Sequence, residues 1–181
     1  MADTVWTLSS SDGALSVTTG VAGPAAKMGH RLTLAMPWQA SVRWADEPSS
    51  MELTVDVGSL EVLRGEGGVT PLSSPEKALA RSNALKTLKA DRYPHVVFRS
   101  DRITKSANGY RLEGTLEING RTRDRVVDLA VEDLGDRWGM STEAVVRQSD
   151  FGVKPYSMMM GAMKVADEVT VAFSAQRAKS G

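Results

Sequence analysis

A strict alternation of apolar side chains is the feature that most constrains how this chain can fold. Between residues 32 and 44 every even position is apolar, whereas the odd positions are mostly polar or small. Successive side chains of a β-strand point to opposite faces, so this pattern predicts one long strand with a buried face and a wetter face. Pro37 cannot donate a ladder hydrogen bond, which predicts a sheet edge or a bulge there. The predicted buried face contains Leu32, Leu34, Met36, Trp38, Ala40, Val42 and Trp44.

Further alternating runs follow, and turn dipeptides separate them. Residues 51–57 alternate in the same way, and Asn108-Gly109 and Asn119-Gly120 suit tight hairpins, in which both turn positions need a positive φ. The predicted strands of this meander lie near residues 95–104, 110–118, 122–134 and 137–147, with a last strand near 168–176. An open antiparallel sheet of this size would leave two exposed edges. We therefore predict an all-β fold, a single antiparallel up-and-down barrel of about eight strands.

One segment has the signature of an α-helix rather than a strand. Ser73 can cap a helix that has Pro75 in its first turn and Glu76 close behind. The apolar residues that follow share one side, which predicts a single inserted helix packed over one end of the barrel. The glycine-rich residues 65–68 precede it and predict a flexible loop.

Length, charge and cysteine content exclude several classes of protein. The 181 residues fit one core, so we predict a single domain over residues 1–181. Lys+Arg and Asp+Glu balance at 22 each, which argues against a nucleic-acid partner. The chain has no cysteine, and none of its apolar runs approaches the ~20 residues that a membrane-spanning helix needs. The N-terminus lacks the basic and apolar regions of a secretory leader, so we predict a cytoplasmic protein.

The chain has two histidines as its candidates for chemistry near neutral pH. No motif of a hydrolase, a metalloprotease or a phosphate-binding loop accompanies them, so we predict no enzyme activity, no metal site and no cofactor. His30 has two interpretations: a hydrogen bond to a neighbouring loop, which we favour, or a place at the barrel mouth beside Lys27 and Arg31, meeting a polar head group. Two further roles of His30, as a general acid or base and as an axial haem ligand, stay open. His95 is predicted to lie on the surface at the start of a strand.

The segment of residues 156–163 contains four methionines, whose flexible, polarisable side chains adapt to irregular apolar partners. It is interpreted either as the lining of a ligand chamber or as ordinary core or a dimer contact. Trp38 and Trp44 carry the same two interpretations. The predicted ligand-binding residues are His30, Leu34, Met36, Trp38, Trp44, Leu53, Val55, Phe98, Phe151, Tyr156, Met158 and Met160.

Three arginines, Arg121, Arg123 and Arg125, alternate along a predicted strand that leaves a hairpin. Alternation places their side chains on one face of that strand. We favour a solvated face over an anion-binding site for them.

Four motifs, in order along the chain, resemble those of one protein family. Tyr93-Pro94 precedes a Phe98-Arg99-Ser100 strand, and residues 114–122 match a Gly-x-Leu-x-Ile-x-Gly-x-Thr hairpin. A Ser149-Asp150-Phe151-Gly152 turn and a closing Asp167-x-Val169 strand follow. The motifs together cover most of residues 51–176, and on them the chain resembles the YceI-like family.

The resemblance implies a lipocalin-like antiparallel barrel that binds isoprenoids or other long-chain lipids, such as polyprenyl phosphates or quinones, in an elongated internal cavity. The family's usual N-terminal pattern is replaced here by residues 16–19 and 29–32, so no ligand contact is carried over from that end. Our leading hypothesis is a protein that binds and carries, or sequesters, such a ligand. The alternative is a packed barrel that acts as an interaction or structural module, in which Trp and Met residues form the core and the contacts of a homodimer.

Overall fold

The computed structural model describes residues 4–68 and 70–179, apart from the side chain of Met159. Residues 1–3 belong to the N-terminal segment on which the prediction of no secretory leader rests, and they lie outside the described residues. The strands in chain order are β1 (Thr4–Ser9), β2 (Gly13–Ala22), β3 (His30–Ala35), β4 (Trp38–Trp44), β5 (Pro48–Asp56), β6 (Glu61–Gly67), β7 (His95–Lys105), β8 (Gly109–Ile118), β9 (Arg121–Asp133), β10 (Arg137–Arg147), β11 (Ser157–Met158) and β12 (Met163–Ala178). Among the described residues, α1 (Ser74–Thr87) is the one α-helix.

All of these strands belong to one sheet, and each paired neighbour runs antiparallel. Their order across the sheet is β1-β4-β5-β7-β8-β9-β10-β12-β2-β3-β6, with β11 attached to β12. The sheet curls into a barrel-like shape, so the predicted all-β antiparallel fold with an inserted helix is confirmed. The predicted number of about eight strands is wrong, because the described residues form twelve.

Kinks account for much of the higher number of strands. Met36 and Pro37 separate β3 from β4, so the single strand predicted over residues 32–44 is broken there. Pro37 has no N–H to donate, but its carbonyl accepts from the Asp56 N–H at 2.8 Å. A 3-10 turn at Val57–Ser59 likewise separates β5 from β6. β4 lies next to β1 at one end of the strand order, and β3 lies next to β6 at the other end. Because only Met36 and Pro37 connect β3 to β4, the kink holds these two ends of the sheet close together.

The predicted meander is confirmed, because β7, β8, β9 and β10 pair in sequence order. Asn119 and Gly120 have φ angles of 55° and 72°, as a tight hairpin between β8 and β9 requires. The same prediction for Asn108-Gly109 is wrong, because neither residue has a positive φ and Gly109 is already the first residue of β8. β12 begins at Met163, earlier than predicted, and pairs with β10 on one side and with β2 on the other.

β9 and β10 are joined over only part of their length. Their ladder ends where Ser141 faces Ala130, and no further pair joins the described residues of the two strands. Residues 121–129 of β9 are paired with β8 alone, while β10 remains paired with β12. We call the unpaired stretch between residues 121–129 and 142–147 the seam.

The helix α1 begins as its sequence predicts. The Glu76 N–H donates to Ser73 Oγ at 3.3 Å, and the Ser73 N–H donates to Glu76 Oε1 at 3.1 Å, which forms a capping box. Arg81 fastens the helix to the bend between β5 and β6, because its guanidinium donates to the carbonyls of Leu60 and Gly58 at 2.9 and 3.0 Å. The flexible loop predicted at residues 65–68 is wrong for most of its length, since β6 continues to residue 67 and pairs with β3.

The main core packs around Trp38, whose side chain is 2% exposed. Its ring stands edge-on to Phe173 with the ring centroids 4.8 Å apart, and its indole N–H donates to the Gly13 carbonyl at 3.3 Å. A smaller cluster forms where Phe151, Val146 and Val153 pack together. The buried members of the main core are Leu8, Leu15, Leu34, Met36, Trp38, Val55, Val57, Leu60, Ala90 and Ala175.

Candidate ligand cavity

A cavity of about 650 Å3 lies inside the curled sheet and is bordered by α1. The inward faces of most strands line it, and most of the lining side chains are apolar. Small-molecule sites commonly have volumes of about 300–1,000 Å3 and a largely apolar lining. The cavity therefore has the size and the chemistry of a site for an apolar small molecule.

Strand alternation explains why the wall is apolar. Ala40 faces Leu53 across β4 and β5, Leu53 faces Phe98 on β7, and Phe98 faces Leu116 on β8. Cross-strand partners point to the same side of a sheet, so these residues form a continuous apolar band across four strands. All four line the cavity.

The structure brings most of the predicted ligand-binding residues together around this cavity. Their role in binding stays a prediction, because their positions alone identify no ligand. The predicted residues that line the cavity are His30, Leu34, Met36, Trp38, Leu53, Val55, Phe98, Phe151, Tyr156 and Met158.

Trp44 and Met160 do not line the cavity. Trp44 lies at the far end of β4, just after a register shift in its pairing with β5, and its ring packs 4.6 Å from that of Trp6. Met160 has a left-handed backbone with φ 56° and ψ 34°, and its side chain is fully exposed. Trp44 and Met160 are therefore the two predicted residues that the structure does not bring to the cavity.

The mouth of the cavity has an apolar rim. Met28, Leu79 and Met158 line the cavity and are nevertheless 50%, 61% and 42% exposed. They come from a 3-10 turn after β2, from α1 and from β11, so the opening lies between the helix and these two segments. Met28 and Leu79 were not in the predicted set, because their sequence context indicates a turn and a packed helix face rather than a cavity rim.

His30 makes the hydrogen bond to a neighbouring loop that we favoured, and it also lines the cavity, whereas contact with a polar head group stays a prediction. Its Nε2–H donates to the Thr70 carbonyl at 2.6 Å, in the loop after β6, and its side chain lines the cavity. Glu76 lines the cavity as well. Hydrogen bonds from the Ser73 side chain and backbone hold the pKa of Glu76 below its ordinary value, and the nearby His30 adds to this effect. His95 is exposed at the first position of β7, as predicted.

The three arginines of β9 share the inward face of their strand. Arg121, Arg123 and Arg125 face Ile118, Leu116 and Gly114 on β8, and both Ile118 and Leu116 line the cavity. Their environments nevertheless differ. Arg121 is exposed, as the solvated interpretation predicts, whereas Arg125 is half-buried and lines the cavity.

Several polar side chains in the lining form hydrogen bonds with the backbone of the wall. Thr19 Oγ1 accepts from a main-chain N–H of β3 at 3.0 Å. The Thr142 hydroxyl donates across the seam to the Asp128 carbonyl at 2.9 Å. Gln148 Nε2 donates to the Ala166 carbonyl at 3.0 Å. These polar groups are thus bonded to the wall, and the surface that faces the interior is mainly that of the neighbouring apolar side chains.

The motif residues hold one end of the barrel together. Asp167 accepts from the Ser149 N–H at 2.8 Å and from its hydroxyl at 2.5 Å. These two hydrogen bonds, with a smaller contribution from the Arg147 charge, lower the pKa of Asp167. Asn119 Nδ2 donates to the Phe151 carbonyl at 3.2 Å, and the Phe151 ring is buried against the cavity.

Within the described part of the chain, no three His, Asp or Glu side chains are grouped so that they could hold a metal ion. No helix in this part is long and apolar enough to cross a membrane.

The curled antiparallel sheet and its apolar interior define the class as barrel-like β proteins that enclose an internal cavity. The chain belongs to the YceI-like family, since the model of the YceI-like domain matches residues 7–177. The resemblance seen in the sequence motifs is thereby confirmed. A comparison with curated proteins gives no match.

Solved structures share the fold at low sequence identity. BcnA of Burkholderia cenocepacia is 20% identical with a TM-score of 0.65, and the match covers 91% of this chain and 96% of BcnA. A YceI protein of Campylobacter jejuni is 16% identical with a TM-score of 0.58, and the match covers 80% of this chain and 82% of that one. A mutant of the Campylobacter protein, crystallised with a monobromobimane guest, has the same identity and coverage and a TM-score of 0.59.

Proposed function

We propose that this protein binds an elongated apolar molecule, such as an isoprenoid, a quinone or another long-chain lipid, and carries or sequesters it inside the barrel. The observation that carries the proposal is the cavity of about 650 Å3 with its apolar lining. The alternative, a packed barrel that acts as an interaction module, requires an interior filled by its own side chains. The cavity argues against that alternative, and a homodimer stays a prediction.

The expected affinity suits a carrier that also releases its cargo. Burying about ten methylenes at ~0.8 kcal/mol each gives about 8 kcal/mol of favourable free energy before costs. Ordering the chain and losing its translational freedom remove several kcal/mol of this. We therefore expect micromolar or weaker affinity.

A non-enzymatic role is part of the proposal. The imidazole of His30 already donates to a loop carbonyl, and Thr142 and Gln148 in the lining donate to backbone carbonyls of the wall. The hydrogens of these groups are engaged in hydrogen bonds to the backbone, whereas general acid–base catalysis needs a side chain that can exchange a proton with the substrate. The cytoplasmic location also stays a prediction, and cell fractionation with an antibody tests it.

The decisive experiment is native mass spectrometry of the protein as purified, followed by organic extraction of any mass that is lost on denaturation. A stoichiometric long-chain adduct supports the proposal and identifies the cargo. A clean apo mass, with no uptake of added prenyl or acyl lipids, overturns it.

A matched pair of variants on β4 tests whether binding occurs inside the barrel. Ala40 lines the cavity, whereas its neighbour Ser41 is exposed on the outer face. Ala40→Phe places a ring in the cavity, and we expect an acyl probe to bind about tenfold more weakly or worse, because excluding about two methylenes costs about 1.6 kcal/mol. Ser41→Phe adds the same ring outside and is expected to bind normally. Equal binding by both variants contradicts an internal site.

A further inference from the structure

Arg125 brings a positive charge into the side wall of the cavity. Its side chain is half-buried and lines the cavity next to Val127 on β9. On β8 it faces Gly114, which has no side chain, and on its other side lies the seam, where β9 has no ladder partner in β10. The position that a side chain at Gly114 would take is filled by the backbone of Arg99 and Ser100, so the wall offers Arg125 space on the side of the seam.

No described residue neutralises this charge. The Arg125 side chain forms no ion pair and no hydrogen bond with the part of the chain that the structure describes. Asp124 and Asp128 are the nearest acids along β9, but alternation turns them to the outer face, where both are exposed. Arg123, two residues away, differs because its Nε–H donates to the Asp150 carbonyl at 2.7 Å.

A guanidinium in such a wall gains most from an anionic partner. Burial removes part of its hydration, and the lost free energy is restored only by hydrogen bonds and an opposite charge. The planar donors of arginine match the two oxygens of a carboxylate or a phosphate in a bidentate arrangement. Resting on the function proposed above, we infer that Arg125 binds an anionic group of the ligand, a carboxylate or a phosphate, inside the cavity.

The charges at the mouth support this position for the anionic group. Glu76 lines the cavity, and its lowered pKa keeps it ionised at neutral pH, so it gives an anion no attraction to the mouth; because Glu76 is exposed, water screens its charge as well. The His30 Nε2–H is already donated to a carbonyl. Lys164 also lines the cavity, but it is exposed, and water screens its charge. Arg125 therefore offers the better-desolvated cation for an anion to meet.

Probes that share one chain and differ in the head group test the inference. We would measure equilibrium binding of hexadecanoic acid, hexadecyl phosphate and hexadecan-1-ol at neutral pH to the unmodified protein and to Arg125→Gln. Arg125→Gln removes a charge-assisted hydrogen bond to the anion, so it should weaken binding of at least one anionic probe about tenfold or more. The alcohol carries no charge, and its binding should weaken less than about threefold. A larger loss for the phosphate or for the acid identifies the preferred anion.

Two control variants separate this effect from general damage. Arg43→Gln removes the same charge from an exposed position on β4 and should leave all three affinities unchanged. Arg125→Lys keeps the charge without the bidentate geometry and should retain part of the preference for the anion. The inference is overturned if Arg125→Gln weakens acid, phosphate and alcohol equally, or weakens none of them. Failure of the unmodified protein to bind any of the three probes overturns the proposed function itself, and this inference with it.

Discussion

Asp167 illustrates how a single motif residue can serve structure rather than ligand binding. It accepts both hydrogen bonds that Ser149 can donate, and it thereby fastens the turn after β10 to β12. The turn carries Phe151, which is buried in the smaller core cluster and borders the cavity. The carboxylate thus positions a lining residue without lining the cavity itself.

The lowered pKa of Asp167 predicts how pH affects stability. A carboxyl group whose pKa is lower in the folded state stabilises that state above its unfolded pKa, near 3.8, and the contribution is lost as the pH falls through the folded value. Asp167→Asn should therefore lower the free energy of unfolding at pH 7, and the difference from the unmodified protein should shrink below pH ~3.8. Urea unfolding at several pH values measures this. Asp101→Asn, at an exposed position on β7, is the control; a difference for Asp167→Asn that is constant with pH would contradict the prediction.

Single residues were predictable from the sequence where strand alternation alone decides their orientation. Leu53 and Phe98 line the cavity as their parity predicts. Trp44 shares the parity of Trp38, but the register shift before it and its contact with Trp6 are properties of the folded sheet. Arg125 has the same parity as the lining residue Val127, so alternation alone would have placed it in the lining. Because it is charged, we predicted a solvated face instead. The seam beside Arg125 could not be predicted, since no sequence pattern marks where two strands stop pairing.

At the scale of elements, α1 was predictable because its start is set by local chemistry. The capping box involves only Ser73 and Glu76, three residues apart. β6 was missed because glycine usually interrupts strands, and here pairing with β3 keeps residues 61–66 extended. At Pro37 the sequence predicted a sheet edge or a bulge, but not a break into two strands. The break could not be predicted, because β3 and β4 pair with different strands that are distant in sequence.

Arg81 should control how firmly α1 borders the cavity. Arg81→Gln removes two hydrogen bonds to the carbonyls of Leu60 and Gly58 but leaves the capping box intact. We expect the helix to remain formed while its opening becomes easier by about 1 kcal/mol, which is about fivefold faster amide exchange in α1. Hydrogen exchange read by mass spectrometry measures this. Lys86→Gln, at an exposed position on the same helix, should exchange like the unmodified protein, and equal rates for Arg81→Gln would refute the role of Arg81.

At the scale of the whole molecule, the seam is a local gap in the pairing of the sheet. β8 is paired on both sides, with β7 and β9, whereas residues 121–129 of β9 are paired with β8 alone. Amides of β9 that point toward the seam should therefore exchange faster than those of β8, which is the internal control. Residue-resolved hydrogen exchange tests this, and equal protection of β8 and β9 would mean that the seam is closed in solution.

The pairing of β2 with β12 has a consequence for how the protein is made. Val17 faces Val171 in this ladder, so β2 gains this neighbour only after all of the strands between them have been synthesised. Until then β2 can pair on one side, with β3, and contacts as distant in sequence as those with β12 form slowly. Closure of the sheet at this point therefore waits for β12, and until β12 arrives one edge of β2 is open to pairing with another chain.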